Sequence, residues 1–123
     1  AMMGVPAIVD GGISSAADLA KAVGAGAEAA IIDKLFAGTS EAPGQLVYQG
    51  AEAFKTLSRA PAPLAAQHDP FLLGDLPLDG AAPYRGSVAG VAQGLADGLR
   101  AAMAYCGSND IKSMIEHAEF VRV

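Results

Sequence analysis

The sequence predicts an α/β fold built on a parallel pair of strands, and three observations carry that expectation. Residues Val5 to Val9 form an apolar run without polar alternation, closed by Asp10-Gly11-Gly12. A helical stripe of Leu19, Ala20 and Val23 follows, and Ala29-Ala30-Ile31-Ile32 then makes a second apolar run. Runs of this length without alternation suit strands covered on both faces, as in parallel sheets. The order β-α-β requires a right-handed crossover between parallel neighbours.

Each element has a local cause. Ser14 or Ser15 can cap the first helix. With Ser15 as the cap, Asp18 falls three residues on, near the free amides and the positive end of the dipole. Gly24-Ala25-Gly26 stops the helix. After the second run come Asp33-Lys34 and a helical turn through Leu35-Phe36-Ala37. Glu41-Ala42-Pro43-Gly44 is turn chemistry, and the stretches Gln45 to Tyr48 and Ala53 to Leu57 predict a small hairpin around Gln49-Gly50. Ala60 to Arg85 carries most of the prolines without a period, so it predicts a long irregular segment, functional or disordered. Ser87 caps the longest helix, with Val88, Val91, Leu95, Leu99 and Met103 at helical spacing, and Gly107 ends it. Ser108 is expected to cap a short helix through Ile111, Met114 and Ile115, and Phe120 to Val123 reads as extended. Gly94 and Gly98 on the long helix predict close packing against a neighbour, at some cost in helix propensity.

Composition bounds the function. At 123 residues the chain is at most one modest domain, and 52% hydrophobic against 17% charged residues supports a core. A net charge of −5 and no Lys/Arg cluster argue against a nucleic-acid or anionic-membrane partner. No apolar run approaches the roughly 20 residues of a membrane span, and a lone cysteine, Cys106, fits a reducing compartment, so a cytoplasmic location is expected. Cys106 has no activating base or basic cluster in its sequence neighbourhood and reads as a small apolar filler. His68 and His117 lie far apart with no ligand spacing, so no metal is expected.

The blocks "VPAIVDGGISSAADLAKAVGAGAEAA", "FAGTSEAPGQLVYQG", "PYRGSVAGVAQGLADGLRAAMAYCGS" and "HAEFVRV" resemble, in order, the C-terminal part of the catalytic domain of inosine monophosphate dehydrogenase and its relative GMP reductase. The resemblance implies the C-terminal portion of a (β/α)8 TIM barrel, incomplete alone, since such a barrel takes about 250 residues. It divides the chain into residues 4–38, the last two βα units, then 39–86, a hairpin and irregular flap-like segment, and 87–123, the C-terminal helices and a terminal strand. Barrels of this kind commonly bind a phosphate at the loops after the last two strands. The resemblance accordingly implies that Asp10 binds ribose hydroxyls and that Gly11 and Gly12 admit a phosphate to the backbone. It adds Asp79-Gly80 as a shortened purine-contacting pair, while Lys34, a departure from the family pattern, could offset the repulsion of Asp33 as a flexible point charge. NAD is implied as cofactor by the family, with none expected for this chain alone.

Departures from the family pattern carry equal weight. Asp33-Lys34 stand where the family has Gly-Ser, whose amides and hydroxyl complete the phosphate cradle. The family's Tyr-Arg-Gly-Met-Gly-Ser loop is replaced near Leu57 to Pro63, and its flap Arg-Tyr pair is missing around His68-Asp69-Pro70-Phe71. The catalytic cysteine belongs to an upstream loop, so no catalytic residue is assigned. Three functions are therefore expected to compete: one part of a dehydrogenase-like protein that pairs with the remainder of its barrel, a non-catalytic homo-oligomeric binding or assembly module, and a regulator that binds a purine nucleoside monophosphate, helped by Lys34 and Arg59.

Overall fold

A computed structural model describes residues 5–56 and 81–122. The first half is a βαβα unit. Strand β1 (Ile8–Asp10) leads through helix α1 (Ala16–Gly24) to strand β2 (Ala29–Ile31), and helix α2 (Lys34–Ala37) follows at once. The strands are parallel, with Ile8 opposite Ala29, Val9 opposite Ala30 and Asp10 opposite Ile31. Both strands are shorter than their apolar runs. Val5 to Ala7 and Ile32 fall outside the ladder.

Alternation along the pleat puts Ile8, Asp10, Ala29 and Ile31 on one face and Val9 and Ala30 on the other. Val9 and Ala30 are half-buried. Ile8 is 65% exposed and Ile31 53%. Among the described residues one face is therefore uncovered, as expected of an incomplete barrel portion.

Helix α1 begins at Ser15, whose hydroxyl accepts the Asp18 N–H, and Asp18 returns its carboxylate to both serine hydroxyls, at 2.9 Å from Ser14 and 2.8 Å from Ser15. Lys21 adds an ammonium at 3.0 Å. The Ser15 hydroxyl, then Lys21 and then Ser14 hold the Asp18 carboxyl well below the ordinary range. The helix is stopped near Gly26, where φ is +101°.

Strands β3 (Leu46–Gln49) and β4 (Glu52–Thr56) form the expected hairpin, turning at Gly50 with φ +64°. A third strand, β5 (Ala81–Pro83), pairs antiparallel with β4, so the end of the segment expected to be irregular is instead sheet. Its three residues are too few to set a visible period, and β4 supplies the ladder. Residues 57–80 lie outside the described residues.

Helix α3 (Val88–Tyr105) starts at Ser87, which accepts the Gly90 N–H at 3.1 Å, while the Glu41 carboxylate accepts the Val88 N–H at 2.8 Å. This second cap draws the Glu41 carboxyl below its ordinary range. Of the α3 stripe, Leu95 is buried, Val91, Leu99 and Met103 are half-buried, and Val88 is 38% exposed. Helix α3 lies against α1: a methyl on Gly98 would collide with the Ala16 Cβ, whereas Gly94 has nothing within 4 Å. The close-packing expectation therefore holds at Gly98 and fails at Gly94. Helix α4 (Ile111–His117) is capped by Asp110, which accepts the Ser113 N–H at 2.7 Å, and not by Ser108. Ser108 is buried, with its hydroxyl 3.2 Å from His117 Nδ1. The terminal stretch to Arg122 joins no strand. The buried apolar residues include Ile13, Ala20, Leu35, Leu95 and Met114, and α1 packs against α3 and α4 while α2 packs against α3.

Candidate strand-end binding site

Parallel pairing brings the C-terminal ends of β1 and β2 together. Asp10 is the last residue of β1, and Gly11 and Gly12 follow with φ +74° each. That backbone region is open to glycine and strained for other residues. A Cβ at either position would meet nothing within 4 Å, so conformation alone calls for glycine there. Ile13 then drops into the core at 5% exposure, anchoring the turn. The result is an exposed carboxylate beside two uncovered stretches of main chain.

Two residues past the end of β2 stands Asp33, with φ −103° and ψ −56°. Its carboxylate accepts the N–H of Lys34 at 2.6 Å and so caps α2. Lys34, the first residue of that helix, is exposed. Asp10, Gly11, Gly12 and Lys34 are thus brought to one end of the sheet, while Asp79, Gly80, Arg59 and His68 lie outside the described residues. Cys106 is a half-buried free thiol at the C-terminal end of α3. His117 is engaged with Ser108 and Ser113 on α4. Among the described residues no group of three or more His, Cys, Asp or Glu side chains could hold a metal ion. No helix among them is long and apolar enough to cross a membrane.

A brace behind this end was not anticipated from the sequence. Ser40 donates its N–H to the Gly86 carbonyl at 2.8 Å, and Arg85 donates to the Gly38 carbonyl at 2.9 Å. Thr39, 2% exposed, donates its hydroxyl to the Phe36 carbonyl at 2.7 Å. Lys55, 6% exposed, reaches the Ser40 carbonyl at 3.4 Å. Together these join the segment after α2 to β4 and to the start of α3. A cleft of about 500 Å³ lies beside them, lined by Ser14, Ser15, Leu35, Arg85, Val91 and Leu95 among others. Single polar residues 15 to 47 positions apart leave no periodic signal, so their meeting was not readable before the fold was known.

A strand-end carboxylate and a positive-φ glycine turn on a parallel βαβ unit are features of a (β/α)8 barrel segment. The chain belongs to the IMP dehydrogenase / GMP reductase domain family, which it matches over residues 1–123. It is 40% identical to inosine-5'-monophosphate dehydrogenase of Rhizobium tropici over 97% of its own length and 26% of that protein's. It is 35% identical to GMP reductase of Leishmania donovani over 98% of its own length and 27% of the other. A crystal structure of GMP reductase from Trypanosoma brucei superposes with a TM-score of 0.75 at 31% identity, covering 99% of this chain and 23% of that one. The chain thus spans about a quarter of the length of the curated relatives it matches, and its fold is an incomplete portion of a (β/α)8 barrel.

Proposed function

We propose that the chain supplies the ribose and phosphate side of a purine nucleotide site within an IMP dehydrogenase-like barrel and is not catalytically competent alone. The supporting observation is the exposed Asp10 at the end of β1, followed by Gly11 and Gly12 at φ +74°. A carboxylate is a pure acceptor and suits paired ribose hydroxyls, which are donors. Uncovered main chain after it lets a ligand approach the backbone without a side chain intervening. Residues 4–38 form the binding end in this reading, 39–86 the flap-like segment and 87–123 the packing helices. Asp79 and Gly80 would contact the purine.

The remainder of the barrel, in the same polypeptide or another, would bring the catalytic cysteine and the nicotinamide pocket. The family is NAD-dependent in general. Ile8 and Ile31, on the same sheet face as Asp10, are open to solvent, and in this reading the remainder of the barrel covers them. Isothermal titration with inosine, guanosine and their 5'-monophosphates tests the reading. Asp10→Ala is expected to weaken every ligand that carries a ribose, by about tenfold for one charge-assisted hydrogen-bonded contact. Unchanged affinity would remove the ribose assignment.

A second reading, a non-catalytic module that self-associates, draws on the same uncovered face at Ile8 and Ile31, since a second copy could cover it. It predicts a homo-oligomer indifferent to nucleotide. The choice of the first reading rests on Asp10 and its glycines, which self-association leaves without a role.

A further inference from the structure

We infer that Glu41 is a positioning residue for the phosphate side of the strand-end site: its carboxylate ties the segment after α2 to the start of α3 and so fixes the loop after β2 against the glycine turn after β1. The inference rests on the reading above and adds to it a residue that touches no ligand.

Helix α2 has four residues, and a single turn does not hold its own conformation in water. It starts at Lys34, directly after the loop that follows β2, at the end of the sheet where Asp10, Gly11 and Gly12 stand. Leu35, 4% exposed, anchors its apolar side in the wall of the cleft that also includes Ser14 and Ser15 from the turn after β1. The remaining ties hold its far end. Thr39 gives both its N–H, at 3.0 Å, and its hydroxyl, at 2.7 Å, to the Phe36 carbonyl. The Arg85 N–H meets the Gly38 carbonyl at 2.9 Å, and the Ser40 N–H meets the Gly86 carbonyl at 2.8 Å. A Cβ on Gly38 would collide with the Pro83 carbonyl, so the two segments touch main chain to main chain.

Glu41 closes this junction. Its Oε2 accepts the Ser40 hydroxyl at 2.9 Å and the Val88 N–H at 2.8 Å, joining residues 47 positions apart. A carboxylate at the first amide of an 18-residue helix gains from the dipole as well as from the hydrogen bond. Ser87 already caps α3 through the Gly90 N–H, so the start of the helix does not depend on Glu41. What Glu41 adds is the link between α3, which packs against α1, and the segment that ends α2. Glu41 is itself exposed, so its removal leaves no cavity. Phosphate sites of such barrels use the loops after both of the last strands, whereas Asp10 belongs to β1 alone. Loosening α2 therefore disturbs the phosphate side and spares the ribose contact.

Calorimetric titration of the protein, purified with the polypeptide that completes its barrel, uses inosine, guanosine and their 5'-monophosphates as probes. Glu41→Ala should weaken both monophosphates about fivefold, the size of one tie acting through an intermediate element, and leave both nucleosides within about twofold. Glu41→Asp, one carbon too short to reach the Val88 amide, should give the same split and serves if the alanine variant does not fold. Glu41→Gln, whose amide oxygen still accepts both donors, should return the monophosphates to within about twofold of wild type. Ser87→Ala removes the other cap of α3 and leaves the junction intact, so it should lower the unfolding midpoint and change no affinity by more than about twofold. The inference is overturned if Glu41→Ala binds monophosphates as wild type does, if it loses nucleoside and monophosphate equally, or if Ser87→Ala matches it. Should Asp10→Ala weaken every ribose-bearing ligand while Glu41→Ala is neutral, only the inference falls. Should Asp10→Ala change nothing, the reading beneath it falls as well.

Discussion

Adding one methyl group to helix α3 at either of two positions a single turn apart should change stability by different amounts. At Gly98 the new carbon would overlap the Ala16 Cβ and lie 3.6 Å from the Ala16 Cα. Ala16 is the first residue of α1 and has no rotatable side chain to move aside, so α1 and α3 must separate. Overpacking of this kind costs about 1–3 kcal/mol. Replacing glycine by alanine in a helix interior returns about 1 kcal/mol. Gly98→Ala should therefore be neutral to destabilising by about 2 kcal/mol. At Gly94 nothing lies within 4 Å, and only the propensity gain of about 1 kcal/mol remains. Propensity cancels between the two variants, so their difference, about 1–3 kcal/mol, isolates the α1–α3 contact. Urea unfolding midpoints of the two purified variants measure it. Equal stabilities, within about 0.5 kcal/mol, would show that the two helices do not meet at Ala16 and Gly98.

Further outcomes follow from the caps and the core. Ser87→Ala should cost about 1 kcal/mol in denaturant unfolding through loss of the Gly90 N–H acceptor, and no loss would mean that Glu41 caps α3 alone. Leu95→Ala, at a position 8% exposed, should cost about 2–5 kcal/mol, and a loss under about 1 kcal/mol would place Leu95 outside the core. Asp18 is depressed in the folded state, so the stability it contributes is present above its unfolded pKa of about 4 and is lost as pH falls below that value. Thermal midpoints at about pH 3 and pH 6 should accordingly fall further in wild type than in Asp18→Asn on acidification; equal falls would contradict the assignment. Gly11→Ala at φ +74° should cost about 1–2 kcal/mol from backbone strain alone, and a neutral result would mean the turn adopts another conformation.

How far the sequence discloses this molecule depends on the range of the interaction concerned. The βαβ unit was legible because its signals are local: an apolar run, a serine three residues before Asp18, and glycines where α1 stops. The Gln49-Gly50 hairpin was legible for the same reason. Strand β5 was not, since Ala81-Ala82-Pro83 has neither length nor period and becomes a strand only because β4 offers it a ladder. The α4 cap was misplaced because Ser108 and Asp110 are both good capping types; the Ser108 hydroxyl instead meets His117, nine residues on. At the site, Asp10, Gly11 and Gly12 could be named from their order after a strand. The contact between the Asp33 carboxylate and the next amide could not, because it depends on the side-chain rotamer and on α2 starting at Lys34. The brace through Thr39, Glu41, Lys55 and Gly86 was equally hidden, being assembled from residues far apart in the chain.

The exposed face around Ile8 and Ile31 ties these parts to the central claim. Two parallel strands with open edges and an uncovered apolar face are a hazard alone in water, and the proposed function covers them with the remaining strands of the barrel. Native mass spectrometry of the purified protein, with denaturing mass spectrometry of the same sample, tests this most directly. The β1–β2 unit is expected together with additional polypeptide of barrel size carrying the cysteine loop. A folded species made only of 12.3 kDa chains, as monomer or homo-oligomer, would contradict it.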